Sequence, residues 1–246
     1  MRFESTTGTK GGIRNYTGNT DGTVTFATAI GANTQVGEIE SSASSISVFS
    51  GTIDTALADV DGHITITQDD NTLTAMTLAA TGTVLIDDTV TNGQKVFLTS
   101  TGVDADSLTS GASIKMPANL SDGQTLELFE DVTNGDLAAI IVDTEAVLVD
   151  TALRTYTASS QTGDDIVVTV ADRSATDVGS QLGATVNDGT ALLQATIAAS
   201  TNATTLDAFS NALNAEGGLS ATADTELAKQ VAPQTDLISG SSVAAQ

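Results

Sequence analysis

The chain has no cysteine, no tryptophan, two prolines, one histidine and only eight lysines and arginines among 246 residues. Without cysteine there are no disulfides, thiol nucleophiles or thiolate metal sites. With His63 as the single histidine, most zinc sites and a Ser-His-Asp triad are excluded. Eight basic residues against 31 acidic ones leave a formal net charge of −23. That sign counts against nucleic acid, whose binding needs a basic surface, and against anionic membranes. No apolar run approaches the roughly 20 residues of a membrane-spanning helix, so direct membrane insertion is not expected. The opening residues Met1-Arg2-Phe3-Glu4-Ser5 carry no apolar signal-peptide core. Aromatics are 3% of the chain, so the core has to be built from Val, Ile, Leu, Ala and Thr in regular layers.

What is present points to strands. Hydrophobic residues make up 40% of the chain, enough for a real core. Threonine occurs 41 times, and the acids are mostly Asp, 23 against 8 Glu. Asp is a turn and cap residue, whereas Glu forms helices. From Gly22 to about Asp172 the chain is a string of short β-type runs. They start with 23–26, 36–39, 46–49, 63–67 and 83–86 and go on through 95–98, 113–116 and 125–129. The last are 139–142, 146–149 and 166–170. Many alternate apolar and polar residues, as half-buried strands must. Thr81-Gly82, Asn92-Gly93, Asp122-Gly123 and Asn134-Gly135 supply tight turns between them.

Two architectures fit this spacing, a β-sandwich and a parallel β-helix of stacked coils. The scarcity of bulky aromatic plugs favours the second. The expected fold is therefore all-β, a parallel β-helix (β-solenoid) of six to eight coils with a short α-helical C-terminal cap. Its parts are an N-terminal arm or cap over 1–21, the β-helix over 22–175, a helical cap segment over 176–233 and a linker over 234–246. Three short amphipathic helices are expected in the cap, carrying Ala191-Leu192-Ala195, Leu206-Phe209-Leu213 and Leu227-Ala228-Val231. They are expected to dock on the end of the β-structure and hide its last open edge.

The order of elements near the C-terminus resembles the end of bacterial autotransporter passengers, ahead of the outer-membrane barrel. A strand with Tyr156 (Leu153-Arg154-Thr155-Tyr156-Thr157) precedes an apolar strand over 164–172 and Arg173-Ser174. Residues 205–214 then resemble the family's Ala-rich helix. Glu226-Leu227-Ala228-Lys229-Gln230-Val231-Ala232-Pro233 resembles its closing segment, with Val231 in place of the usual Leu. Upstream, 22–31 and 45–53 resemble passenger coils of rickettsial-type surface-layer autotransporters. The C-terminal likeness covers about 80 residues; the upstream one is compositional. The chain departs from the family in showing neither signal peptide nor barrel. The resemblance implies an excised passenger, cut near the linker after Pro233 and secreted through the barrel of the same precursor to the bacterial cell surface.

Candidate chemistry is sparse. Asp59-Val60-Asp61-Gly62 opens like a calcium loop. The twelfth position of an EF-hand needs Glu, and counting from Asp59 it is Asp70. A turn, or a weak calcium site using Asp59, Asp61 and Asp69, remains. Asp69-Asp70, Asp87-Asp88 and Asp164-Asp165 are adjacent acids, which point to opposite sides of a strand and do not form a hydrolytic pair. His63 reads as a surface or turn residue. Gly8-Thr9-Lys10-Gly11-Gly12 does not lead from a strand into a helix, so a phosphate loop is not expected. Arg2, Lys10 and Arg14 are the candidate self-association residues, set to pair with an acidic neighbour. No enzyme activity is expected, and calcium is the one candidate cofactor, bridging carboxylates at high ionic strength. The expected function is a structural, extracellular surface protein that forms or decorates a lattice or filament, or adheres. A virion tail-fibre or decoration protein is the alternative, and a polysaccharide-degrading enzyme a more distant one.

Overall fold

A computed structural model describes residues 11–15, 23–104, 106–132, 137–151, 154–161, 163–174 and 177, with the backbone of Arg2–Glu4. The expected linker, and the expected helical cap apart from Asp177, lie outside the described residues. The chain divides into two compact units, 1–150 with 156–171, and 151–155 with 172–246.

The first unit is mostly β-structure. Its strands are β1 (Arg2–Glu4), β2 (Gly12–Asn15), β3 (Thr23–Phe26), β4 (Val36–Ser41), β5 (Ile46–Phe49), β6 (Asp54–Val60) and β7 (His63–Ile66). Then come β8 (Asn71–Leu78), β9 (Thr83–Ile86), β10 (Lys95–Leu98), β11 (Ser113–Lys115), β12 (Thr125–Phe129), β13 (Arg154–Gln161, whose first two residues belong to the second unit) and β14 (Asp165–Asp172, whose last residue does). Thus β1 and β2 lie within the segment read as an arm or cap. One sheet has nine strands in the order β1-β2-β4-β6-β8-β10-β12-β14-β13, the other five in the order β11-β9-β7-β5-β3. From β2 to β12 the chain alternates between the sheets, and each of β2 to β10 pairs in parallel with the strand two on. Only the ends break this rule: β1 runs antiparallel to β2, and β14 antiparallel to β12.

Register turns the alternation into rows. Phe26, Phe49, Ile66 and Ile86 line up across β3, β5, β7 and β9. Phe49, Ile66 and Ile86 are each 1% exposed, so this row faces the core. The rings of Phe26 and Phe49 stack, centroids 4.9 Å apart. Ile39, Ala58 and Met76 form the facing row in the larger sheet, and Phe97 stacks on Phe129 at 5.7 Å. Small aliphatic residues repeated in register fill the space between the sheets, which explains a core that uses so few aromatics.

Threonine and glycine act at the turns. Thr67 Oγ1 donates to Phe49 O at 2.9 Å, and Thr89 Oγ1 to Thr67 O at 2.6 Å, so hydroxyls link successive steps. Asn71 does the same in the interior. It accepts from Ile53 N at 2.9 Å and donates to Gln68 O and Val96 O at 2.7 and 3.1 Å. At Gly82 a β-carbon would sit 2.2 Å from Val60 O, so the main chain stacks directly on the preceding step.

Residues 139–142 and 146–149, expected as strands, are corrected by the structure. They fall in and just after α1 (Leu137–Val147), with Leu148 making a parallel bridge to Ile114. The apolar residues misled because three β-branched ones occur in a row. Their spacing decides: Ile140, Thr144 and Val147 are buried on one helical face. In the second unit, the guanidinium of buried Arg154 pairs with the Asp172 carboxylate, and Arg173 Nε donates to Thr151 O at 2.8 Å.

Candidate functional site

The outer face of the nine-stranded sheet carries a group of three convergent acidic side chains. Parallel register places Arg14, Glu40, Asp59 and Thr77 in one row across β2, β4, β6 and β8. Glu38, two residues before Glu40, emerges on the same face of β4. One carboxylate oxygen from each of Glu38, Glu40 and Asp59 lies within 4.8 Å of the others. Arg14 Nε pairs with Glu40 Oε2. Partial burial pushes the Asp59 carboxyl above its ordinary range, and the charges of Asp61, Glu40 and Glu38 push the same way, against Arg14. Three converging carboxylates offer hard oxygen donors of the type calcium takes, and one of them already has an arginine.

Asp59 therefore lies in a cluster, but with other residues than its local motif suggested. Asp61 is in the turn after β6, where its main-chain N donates to Ser41 O at 2.8 Å, and it is not one of the three converging groups. Residues 59–70 do not form one calcium loop: they run from the end of β6 through a turn into β7 and beyond. The Asp69 carboxylate accepts from Gln94 Nε2 at 2.5 Å. Glu38 and Glu40 escaped the sequence reading. Their signal is the alternation Glu38-Ile39-Glu40 opposite Ala58-Asp59, visible only once the register is known.

The remaining acidic pairs serve turns. Asp87 Oδ1 accepts from Thr89 N at 3.1 Å, Asp88 Oδ1 from Ala118 N at 2.7 Å, and Asp165 Oδ1 from Asp131 N at 3.0 Å. His63 is a half-buried strand residue, its Nε2 3.3 Å from Thr65 Oγ1. Burial, then the Lys115 charge, pushes its pKa down. Lys95 sits between Glu130 and Glu127, the latter at 3.1 Å, and its hydrogen bonds to Glu130 first and Glu127 next push its pKa up.

Of the candidate association residues, Arg14 pairs within its own chain. Arg2 is placed by its backbone alone, in register with Arg14, and Lys10 lies outside the described residues. Between the sheets a cavity of about 10 Å³ is lined by residues including Ile39, Phe49, Thr55, Ile66, Leu73 and Phe97. That is barely the volume of one water, and the lining is almost wholly apolar. Comparison of the chain with family models, curated proteins and solved structures gave no match.

Proposed function

We propose that this chain is a structural surface protein, a parallel β-solenoid of the autotransporter-passenger kind that builds or decorates an extracellular layer or filament. Its role is to make contacts, with no chemical transformation of a substrate. The observation that carries this is the register itself. Thr83 follows its partner His63 by 20 residues, and His63 follows Ile46 by 17, while the same apolar side-chain row continues through each step. Strands that alternate between two sheets and add in parallel at such intervals support a coiled path. A scaffold of this type stacks each unit on the last and offers sides and ends for contact. Among the described residues, the cavity between the sheets supports the same reading, being too small and too apolar for a substrate. The carboxylate cluster lies on an outer face, where it tunes contacts with other molecules.

Electron microscopy of the purified full chain, across protein concentration and with or without calcium, tests this. Ordered filaments or sheets are expected, and antibodies to the chain should label intact source cells. A chain that stays dispersed under every condition and labels no cell exterior overturns it.

A further inference from the structure

The two sheets do not end level. At the N-terminal end the larger sheet gains β1 beyond β2, whereas the smaller sheet stops at β3. Phe26 O accepts from Ser50 N at 2.9 Å, so Phe26 turns its main-chain groups toward β5. Alternation then turns the N–H and C=O of Thr23 and Thr25 the other way, and both residues are exposed. Among the described residues β3 has no second strand beside it. Its sequence, Thr-Val-Thr-Phe, has neither the lysine nor the proline that commonly blunts an edge. One face of the aromatic stack also ends here, with Phe26 half-buried.

We propose that β3 is a strand-addition site filled by β3 of a second copy of this chain, a contact that rests on the assembly proposed above. Two observations select a second copy, related by a two-fold axis. First, the opposite edge of the smaller sheet is already engaged: Leu148 bridges Ile114, and Val149 N donates to Ile114 O at 3.0 Å. The free strand that a second copy offers in this sheet is therefore again β3. Second, no Asp or Glu occurs on any of the five strands of this sheet, while at the same end of the larger sheet Arg2 lies in register with Arg14. Two chains of net charge −23 thus meet along the sheet whose own strands carry no carboxylate. Antiparallel pairing centred on Val24 sets Thr23 against Thr25 of the second copy and Thr25 against its Thr23. Each of these pairs exchanges two main-chain hydrogen bonds. Val24 meets its own counterpart on the inward side, and the same patch on both copies makes the contact closed.

The test is sedimentation equilibrium of the full chain at physiological salt. Thr25→Pro removes an outward N–H while leaving the bonds to β5, a change that edge strands tolerate. It should weaken the dimer at least about tenfold, with an unchanged circular dichroism spectrum. Should the proline variant fail to fold, Thr23→Lys with Thr25→Lys is expected to act alike. Because the chain has no cysteine, Val24→Cys should give a disulfide-linked dimer on oxidation. Assembly that all these variants leave intact, with no cross-link at position 24, overturns the β3 contact and leaves the assembly reading standing. A wild-type chain that stays monomeric overturns both. A monomer with slow hydrogen exchange at the Thr25 amide assigns the edge to a segment of the same chain, which also removes the proposal.

Discussion

Asp59 and His63 sit on outer faces of different sheets and respond oppositely to acid. The Asp59 carboxyl is pushed above its ordinary value of 3.8 by burial first and by Asp61, Glu40 and Glu38 next. Folding therefore favours its protonated form, and the ionised form costs stability once the pH exceeds the raised value. Asp59→Asn should raise the melting temperature at pH 7, with the gain fading as pH falls through the raised value and gone below 3.8. Thermal melts of both proteins across that range check it. His63 is held below its ordinary 6.5, so the neutral ring is favoured. Its contribution is neutral above 6.5, turns destabilising as the pH falls below 6.5, and is fully developed once the pH is below the lowered value. His63→Gln should flatten that part of the acid limb in the same melts, and an unchanged limb removes the assignment. Gly82 tests the stacking instead. A β-carbon 2.2 Å from Val60 O has to displace backbone, so Gly82→Ala should cost about 1–3 kcal/mol in urea unfolding. Of the carboxylate cluster, only Asp59 was legible in the sequence. Glu38 and Glu40 lie about 20 positions away along the chain, and no local motif announces a neighbour that only strand register brings close.

At the scale of the element, runs such as Ile46–Phe49 and Thr83–Ile86 were legible because alternation and flanking turns agree. The strands β6 and β8 were missed. Asp54–Val60 and Asn71–Leu78 are built largely from Asp, Ala, Asn, Thr and Leu, so weak intrinsic preference hid strands that pairing on both sides enforces. In α1 the opposite error occurred, since Ile140-Ile141-Val142 reads as strand while its neighbours are helix formers. The two readings separate experimentally. In a strand, positions 140 and 142 share a face, whereas in α1 Ile140 is 1% exposed and Val142 64%. Ile140→Ala should therefore cost about 2–5 kcal/mol, and Val142→Ala less than about 0.5 kcal/mol. Equal losses at both positions in denaturant unfolding would contradict the helix.

On the scale of the whole molecule, the apolar rows work against a net charge of −23. Core residues such as Val84, Val96, Leu126 and Val168 are fully buried, so the interior is apolar while the acids crowd turns and outer faces. Unfolding spreads those acids apart, and their mutual repulsion therefore favours the unfolded chain at low ionic strength. Added salt screens that repulsion: the Debye length falls from about 30 Å at 0.01 M to about 8 Å at 0.15 M. The partly exposed ion pairs, Arg14 with Glu40 and Lys95 with Glu127 and Glu130, weaken under the same screening, the buried Arg154–Asp172 pair less so. They are few and partly exposed, so solvent and salt leave them little strength, while carboxylates far outnumber cations. Repulsion thus dominates the balance, and the melting temperature should rise steadily from 0.01 M to 0.15 M salt. Sodium and potassium chloride should act alike, because screening depends on ionic strength and not on the cation. Calorimetry of the full chain in both salts measures it. A flat or falling melting temperature would mean that the few ion pairs outweigh the acidic surface in holding the fold together.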